Sequence, residues 1–351
     1  MIPTFEKIHL RFKLNNINYT HDELKEVAYS LVKEGVLYER NAGDFLLDWL
    51  DDKDYLTVKS SGSTGLPKKI RISKQAMVYS AIATGNYFNL EPGNTALHCL
   101  STNFIAGKMM LVRAMILGLE IDLVEPAPLP IFDDYKTYDF CAMAPMQIQS
   151  SLNRLNNIKT IIIGGAPISN KLMEDLQAIN TKVYASFGMT ETVSHIAIKP
   201  LNIKGYNGHY TTLDHVKISQ DDRNCLVIEA PKLSDHKIVT NDIVKLYSPT
   251  EFEFVGRYDN MVNSGGIKLF PELIEAKLKG KIKNRFFMAS EPDDILGEKL
   301  IMILEGKENT TNASTFEELD NYEVPKHIYL VDQFVEVNEK IQREKTLELL
   351  K

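Results

Sequence analysis

The sequence predicts an α/β fold with a large N-terminal domain and a small α+β C-terminal domain. Between residues 95 and 186, short apolar runs alternate with helical patterns, which is typical of a mostly parallel sheet covered by helices. Residues 221–258 instead contain shorter alternating runs, which favour a small antiparallel subdomain. A compact set of helical and strand patterns follows from residue 259. We therefore expect two domains, 1–258 and 259–351.

The first predicted element is a helix over residues 20–35. Thr20 and Glu23 have the spacing of a capping box, and Gly35 can end the helix. One face of this helix is apolar and carries Leu24, Val27, Ala28, Leu31 and Val32.

The later elements follow the same reasoning. The predicted parallel strands are residues 95–100, 119–124, 140–144, 160–163 and 183–187, with helices over 106–117 and 170–179. The predicted antiparallel strands are residues 225–229, 243–246 and 251–255. The last unit has a helix over 271–278, strands near 285–289, 300–305 and 327–331, and a helical tail from Gln342. Ligands of parallel sheets bind beyond the carboxyl ends of the strands, so we expect a site there.

Composition restricts the class of protein. The net charge of −7 argues against nucleic acid as a partner. No apolar run approaches the roughly 18 residues that a membrane-spanning helix needs, and the N-terminus has no signal-peptide core. Cys99, Cys141 and Cys225 are widely separated and have no metal-binding spacing. We therefore expect a cytoplasmic protein without stable membrane insertion.

Residues 60–69 form the most informative motif, with the sequence Ser-Ser-Gly-Ser-Thr-Gly-Leu-Pro-Lys-Lys. Hydroxyl groups and unhindered backbone N–H groups suit a loop that surrounds phosphate oxygens. The motif is not a Walker loop, because Leu66 and Pro67 separate Gly65 from the lysines. Taken alone, it could also be a mobile Ser/Gly surface loop.

Two further motifs follow. Residues 184–192 read Tyr-Ala-Ser-Phe-Gly-Met-Thr-Glu-Thr, directly after a predicted strand. Residues 255–268 contain Gly-Arg-Tyr-Asp and, later, Ser-Gly-Gly-Ile-Lys. Individually these could be a capped turn and a glycine turn between domains.

In this order, the three motifs resemble the adenylate-forming superfamily of acyl-CoA synthetases, peptide-synthetase adenylation domains and luciferases, from about residue 57 to the C-terminus. The resemblance implies that ATP activates a carboxylic acid as an acyl-adenylate, with release of pyrophosphate, and that most members then transfer the acyl group to a thiol. Two like charges about 4 Å apart near a protein surface repel by about 4 kcal/mol. The site must therefore supply cations and oriented donors around the α-phosphorus.

The resemblance assigns phosphate contacts to the first two motifs. Thr190 is expected at the α-phosphate, and Glu191 is expected to bind Mg²⁺, as a hard carboxylate suits a hard ion. Without the family, Glu191 would be read as a solvated carboxylate at a helix start. The β- and γ-phosphates are assigned to Ser61, Gly62, Ser63, Thr64 and Gly65, with Lys68 screening them.

Other segments are assigned to the nucleoside. Gly164, Gly165 and Ala166 resemble the segment beside adenine, although a plain β-turn is the alternative. Phe187, followed by Gly188, stands where the family usually has an adenine-stacking tyrosine. The ribose hydroxyls are assigned to Asp242 and Arg257.

The C-terminal domain is expected to be mobile, with Asp259 at the hinge position. Gly265 and Gly266 match the loop beside coenzyme A, and Lys268 matches a basic residue near the phosphates. Lys340 lies in a segment similar to Asn-Gly-Lys-Ile-x-Arg, whose lysine bridges the acid and the α-phosphate. Three residues depart from the family pattern by replacing glycines, namely Lys69, Asn241 and Glu339. Glu339 bears on the freedom of Lys340.

In typical members the phosphate loop comes much later, so the resemblance leads us to expect a chain without most of the family's first subdomain. Compact forms of this kind resemble o-succinylbenzoate–CoA ligases of menaquinone synthesis. Residues 101–110, including Phe104, resemble their acyl-pocket wall. Lys108, His195 and Arg113 are candidate cations for a second carboxylate, although Lys108 and Arg113 could instead lie on the solvent face of a helix.

We therefore expect Mg²⁺ as cofactor, ATP and coenzyme A as co-substrates, and o-succinylbenzoate as the acid. The alternatives are another aryl- or acyl-CoA ligase, an enzyme that loads a carrier protein, and a non-catalytic nucleotide-binding relative.

Overall fold

The computed structural model describes residues 3–59, 69–166, 168–337 and 340–350, without the side chains of Lys59 and Lys340. The α-helices of these residues are α1 (His21–Glu34), α2 (Leu37–Trp49), α3 (Lys74–Phe88), α4 (Ile105–Leu117), α5 (Pro145–Ser151), α6 (Asn170–Leu176), α7 (Pro271–Leu278) and α8 (Arg343–Glu348).

The strands before residue 200 are β1 (Lys13–Leu14), β2 (Ile17–Asn18), β3 (Tyr55–Lys59), β4 (Lys69–Ser73), β5 (Thr95–His98), β6 (Glu120–Leu123), β7 (Tyr138–Met143), β8 (Ile158–Ile163), β9 (Lys182–Gly188) and β10 (His195–Pro200). The later strands are β11 (Tyr210–Thr212), β12 (Lys217–Gln220), β13 (Cys225–Glu229), β14 (Ile238–Ser248), β15 (Glu251–Arg257), β16 (Val262–Ser264), β17 (Ile267–Leu269), β18 (Phe286–Asp293), β19 (Gly297–Glu305), β20 (His327–Val331), β21 (Glu336–Val337) and β22 (Lys340–Ile341).

Helix α1 forms where the capping pattern predicts it. The backbone N–H of Thr20 donates to the Glu23 carboxylate at 2.8 Å, and the Glu23 N–H donates to the Thr20 hydroxyl. Gly35 is the C-cap residue. Leu24 and Ala28 are fully buried, so the predicted apolar face packs against the core.

Five strands at the centre of the main sheet are parallel, in the order β6-β5-β7-β8-β9. The chain passes from β5 to β6 on one side, and then to β7 on the other side of β5. Such a reversal opens a crevice at the carboxyl ends of the strands, where α/β proteins bind ligands. The predicted α/β class is confirmed.

Further strands extend this sheet at both ends; those beyond β9 are antiparallel, whereas β1 is parallel to β6 and antiparallel to β2. Beyond β9 the order is β10-β11-β15-β14-β13-β12, and β1 and β2 lie beyond β6. Counted over the described residues, the sheet has 13 strands. The predicted antiparallel region is therefore continuous with the parallel strands through hydrogen bonds. It adds an apolar cluster that includes Leu226, Ile228 and Phe252.

The residues after β15 form a second unit with its own sheet and cores. β17, β16, β19 and β18 are hydrogen-bonded in that order, and β20 pairs with β19. Helix α7 has the predicted bounds, and it begins with a proline at its first turn, a position that proline favours. All buried members of its two apolar clusters lie at or beyond Val262. Separate cores are what the expected boundary after Tyr258 requires.

No helix in residues 3–59, 69–166, 168–337 and 340–350 combines the length and the apolar character needed to cross a membrane.

Candidate active site

In the sequence, the predicted phosphate loop falls between β3 and β4, which pair as antiparallel strands. Ser61, Gly62, Ser63, Thr64, Gly65 and Lys68 themselves lie outside the described residues. Their position is bracketed by Lys59 and Lys69, which pair across the two strands. β4 lies against the short 3-10 turn Thr190–Thr192. The described strand that follows the predicted loop therefore lies near Thr190 and Glu191.

The segment after β9 is a tightly bonded turn. The Thr192 hydroxyl accepts from the Met189 N–H at 2.9 Å and lies 2.8 Å from the Ser194 carbonyl oxygen. Val193 has φ 69° and ψ −53°, and the Ser194 N–H donates to the Thr192 carbonyl at 2.7 Å. This is a strained γ-turn, and strain of this kind concentrates at functional sites. It fixes Thr190 on one side and His195 on the other.

Glu191 is exposed, whereas its neighbour Thr190 is buried. Within the described part of the chain, the Glu191 carboxylate has no hydrogen bond or ion pair, so its oxygens are available to a ligand. Magnesium is usually bound by one or two carboxylates together with phosphate oxygens, and Glu191 fits that role. A group of three or more His, Cys, Asp or Glu side chains suited to a metal does not occur among the described residues.

The predicted adenine segment follows β8. A Cβ at Gly164 would lie 2.5 Å from the Ser186 hydroxyl oxygen, so a side chain here would displace that hydroxyl. Gly165 has φ +88°, and nothing lies within 4 Å of the position that a Cβ would take there. Together with the exposed Ala166, it leaves room for a ligand at the carboxyl end of the strand.

Phe187 is half-buried and packs against other rings. Its centroid lies 5.0 Å from that of Phe252 and 5.6 Å from that of Tyr210. Its stacking on adenine stays a prediction. Gly188, next in the chain, has no space for a side chain, because a Cβ would overlap the Ser194 carbonyl oxygen.

Asp242 and Arg257 face each other across β14 and β15. The Arg257 Nη1 donates to the Asp242 carboxylate at 2.9 Å, and Nη2 donates to Asp259 at 2.8 Å. Burial raises the pKa of Asp242, although the Arg257 guanidinium opposes this shift. Arg257 therefore joins the other predicted ribose residue, Asp242, to the predicted hinge residue, Asp259, through hydrogen bonds.

The C-terminal end of α7 contacts residues just beyond the predicted adenine segment, and its first turn lies beside Gly256, the neighbour of Arg257. The Lys279 Nζ donates to the Ile168 carbonyl at 2.8 Å, and Asn170 donates to the Lys279 carbonyl at 2.9 Å. At the other end of α7, a Cβ on Gly256 would lie 2.8 Å from a carboxylate oxygen of Glu272. The second unit therefore closes one side of the candidate nucleotide site.

The predicted coenzyme A residues lie in a hairpin turn of the second unit. Gly265 (φ +59°) and Gly266 (φ +84°) connect β16 to β17, as glycines do in two-residue turns with positive φ. Lys268 is exposed on β17. Lys340 begins β22, opposite Val337, and its side chain is not described; Glu339 lies outside the described residues.

Arg113 is a charged residue in unusually apolar surroundings. Its side chain is buried in α4, and the residue is 1% exposed. Nε donates to the Thr84 hydroxyl at 3.2 Å, and Nη2 donates to the Ser194 hydroxyl at 2.8 Å. Burial lowers the pKa of Arg113 to about 9. Because the residue is buried, the solvent-face alternative is wrong for Arg113. No carboxylate among the described residues pairs with it.

His195 connects Arg113 to a pocket. The Arg113 Nη2 lies 3.4 Å from His195 Nδ1, and His195 Nε2 lies 3.4 Å from the Thr84 hydroxyl. Because a guanidinium only donates, Nδ1 must accept and the ring proton resides on Nε2. Burial and the Arg113 charge hold the pKa of His195 well below its usual value.

The pocket that His195 lines lies between α3 and two loops, and it measures about 580 Å³ including its open mouth. Ser80 contributes a buried hydroxyl that has no partner among the described residues. Lys232, His215 and the carboxylate of Asp214 also belong to the lining. Most of the remaining wall is apolar, from Ile82, Ala83, Leu213, Val216, Ala230 and Leu233.

The other two predicted acid-pocket residues lie elsewhere. The Lys108 Nζ lies 4.9 Å from the centroid of the Phe45 ring on α2, close to Asp44 and Asp48. Burial lowers the pKa of Lys108. Phe104 caps α4 and is 46% exposed. The structure therefore brings His195 to Arg113 but not to Lys108.

Sequence reasoning missed several residues of this wall. Thr84 and Ser194 complete the polar contacts of Arg113, and Ser80 faces the pocket. The unusual backbone of Val193 is equally invisible in the sequence. The one signal that could have found Ser194 is its position in the chain, three residues beyond Glu191.

The chain resembles known proteins in both sequence and fold. The family described as "AMP-binding enzyme" matches residues 39–227. An acyl-CoA synthetase (AMP-forming)/AMP-acid ligase II-like protein from Dyadobacter fermentans is 34% identical, with a TM-score of 0.62 over 93% of this chain and 98% of that chain. A 2-succinylbenzoate–CoA ligase from Listeria monocytogenes is 24% identical, over 97% of this chain and 81% of the relative.

An O-succinylbenzoate coenzyme A synthetase from Bacillus subtilis, in complex with ATP and magnesium ion, shares the fold. Its TM-score is 0.71 at 19% identity, over 83% of this chain and 69% of that chain.

Proposed function

Because this chain belongs to the AMP-binding enzyme family and is an AMP-forming acid–CoA ligase, we propose that its acid is 2-succinylbenzoate and its product 2-succinylbenzoyl-CoA, a step of menaquinone synthesis. The Listeria monocytogenes relative carries the name of that activity. The observation that carries the proposal is Arg113, a buried cation without an acidic partner in the described residues, beside a mostly apolar pocket.

A buried, unpaired charge is costly unless a partner neutralises it. The second carboxylate of the substrate supplies that partner in our proposal. It accepts from Arg113, directly or through His195, and the free hydroxyl of Ser80 adds a donor. The aromatic ring lies against the apolar lining that Ala83 and Leu213 contribute.

The first half-reaction transfers an adenylyl group. A carboxylate oxygen of the acid attacks the α-phosphorus of ATP, and the bond to the bridging oxygen breaks, so that pyrophosphate leaves. We propose Thr190 and Lys340 as the donors around the α-phosphate, and the 61–65 loop, with Lys68 screening charge, around the other two. Mg²⁺, held by Glu191 and phosphate oxygens, would neutralise charge on the pyrophosphate.

The second half-reaction forms the thioester. The sulfur of coenzyme A attacks the carbonyl carbon of the acyl-adenylate, AMP leaves, and the thiol proton passes to solvent. We propose that Gly265 and Gly266 lie beside the coenzyme A arm. The second unit, residues 259–351, changes position about Asp259 between the two steps.

A panel of acids tests the substrate. Purified protein is assayed with ATP and Mg²⁺ for acid-dependent ATP–pyrophosphate exchange, and then with coenzyme A for thioester. We expect 2-succinylbenzoate to exceed 4-oxo-4-phenylbutanoate, which lacks the ring carboxylate, by about a hundredfold in kcat/KM. That ratio corresponds to about 2.8 kcal/mol, the order of one desolvated charge pair.

Three outcomes contradict the proposal and identify its rivals. Turnover of benzoate or fatty acids, with 2-succinylbenzoate unused, indicates a different aryl- or acyl-CoA ligase. Exchange without any coenzyme A thioester indicates an enzyme that loads a carrier protein. ATP binding without exchange for any acid indicates a non-catalytic relative.

A further inference from the structure

We propose that Asn241 and Arg223 are positioning residues that clamp the connection between the two units. The clamp holds Tyr258 and Asp259, and through Asp259 it holds the Arg257–Asp242 pair. The proposal rests on the proposed function to the extent that the second unit must move between two half-reactions. Its structural basis is a continuous series of side-chain contacts at the start of the second unit.

Both polar atoms of the Asn241 side-chain amide form hydrogen bonds. Its Nδ2 donates to the two carboxylate oxygens of Asp259, at 3.0 and 3.3 Å. Its Oδ1 accepts from Arg223 Nη1 at 3.0 Å. The reverse orientation would set an oxygen against a carboxylate and an amide N–H against a guanidinium, so the contacts fix the side chain in one orientation.

Arg223 is itself held in place. Its Nε donates to Asp221 at 2.9 Å, and its Nη2 donates to the Thr240 carbonyl at 3.2 Å. Its guanidinium carbon lies 5.0 Å from the centroid of the Tyr258 ring, within the range of a cation–π contact. Arg223 therefore contacts the connecting segment directly, through Tyr258, as well as through Asn241.

The series continues into the candidate ribose pair. Asp259 also accepts from Arg257, which donates to Asp242. Displacing the connecting segment therefore breaks the bonds from Asn241, removes the ring of Tyr258 from Arg223, and takes one of the two acidic partners from Arg257. A glycine at position 241, as the superfamily pattern has, offers none of the amide contacts. In this chain the clamp favours the arrangement seen here over others.

The clamp is tested by measuring how freely the two units move relative to each other in the free protein. Spin labels are attached to cysteines introduced at the exposed residues Asp222, in the first unit, and Asp294, in the second, and their distance distribution is measured by pulsed electron paramagnetic resonance. We expect Asn241→Gly to broaden the distribution and Asn241→Asp, which sets a second carboxylate against Asp259, to broaden it further. Limited trypsin cleavage after Arg257 should rise at least about fivefold in both.

The ratio of the rates of the two half-reactions provides a second measurement. It should not change if Asn241 only stabilises its immediate surroundings. In Asn241→Gly, the rate of pyrophosphate exchange relative to thioester formation should change by at least about threefold. Arg223→Lys keeps a charge but not the planar fork, and we expect it to fall between wild type and Asn241→Gly. Asn207→Gly, at an exposed loop far along the chain from the connection, is the matched control.

Unchanged distance distributions and unchanged cleavage in Asn241→Gly and Asn241→Asp, both with wild-type circular dichroism, overturn the proposal. The measurements need no acid substrate. If the distributions respond while 2-succinylbenzoate is not used, the clamp stands and only the proposed substrate fails.

Discussion

Two arginines of this chain occupy opposite electrostatic environments. Arg257 is partly exposed and lies between Asp242 and Asp259, so its charge is compensated within the protein. Arg113 is buried, and only neutral groups contact it among the described residues. Folding a charge into such surroundings is unfavourable. The difference teaches that a paired arginine can organise a site within the protein, whereas the buried and unpaired Arg113 is the group that we propose for recognition of the substrate's second carboxylate.

The largest expected effect comes from removing the unpaired charge. In Arg113→Met, kcat/KM for 2-succinylbenzoate should fall by at least about a hundredfold, because truncating one partner of a desolvated charge pair costs roughly 2–5 kcal/mol. Arg113→Lys should lose about tenfold, since a compact ammonium keeps the charge but not the fork. Steady-state kinetics measure both.

The same variants include an internal control. Use of 4-oxo-4-phenylbutanoate, which has no ring carboxylate, should change far less in Arg113→Met, and so should the KM for ATP. Equal losses for both acids would mean that Arg113 supports the fold of the site and does not recognise a second carboxylate.

A smaller effect is expected on stability, and the two arginines should differ in its direction. Arg257→Met leaves two aspartates facing each other, and we expect the free energy of unfolding to fall by about 1–3 kcal/mol. Arg113→Met removes an uncompensated buried charge, and we expect stability to stay level or rise by up to about 1 kcal/mol. Urea denaturation of the free proteins measures both changes. A loss of similar size in both variants would remove the distinction between the two arginines.

The sequence predicted the elements whose patterns are local. The capping box and apolar face of α1, the proline start of α7 and the strand Cys225–Glu229 depend on residues close to one another. The alternation between residues 95 and 186 was enough for the parallel core, because buried strands and covering helices differ in period. The continuity of the antiparallel strands with this sheet depends on pairing between distant segments, which no local pattern specifies.

The environment of Arg113 could not be predicted from the sequence. Helix α4 is buried on nearly every side, from Gly107 to Ile116, so its sequence has no polar stripe to show which face meets solvent. The decisive partner, Ser194, is 81 residues away in the chain. Lys108 seemed equivalent to Arg113 in the sequence, yet it faces α2 and its acidic residues. The bonds of Asn241 to Asp259 were likewise hidden, because that position was known only as a departure from glycine.

The smallest expected effect concerns His98, a buried base without a hydrogen-bond partner among the described residues. Both of its ring nitrogens are buried without a hydrogen bond to any described residue, and burial lowers its pKa from 6.5 to about 4. Unlike arginine, histidine can release its proton on folding. Between these two values the unfolded chain binds more protons than the folded one, so stability falls as the pH drops below about 6.5, by up to about 1.4 kcal/mol per pH unit.

His98→Leu should remove that contribution and flatten the decline in unfolding free energy between pH 6.5 and 5, measured by urea denaturation at each pH. The exposed His236→Leu is the matched control and should keep the wild-type slope. His195 shifts in the same direction and remains in both variants, so only the difference between the variants reports on His98. If the two slopes agree, His98 is solvated or paired in the folded protein, and burial without a partner then loses its value as a guide to Arg113 as well.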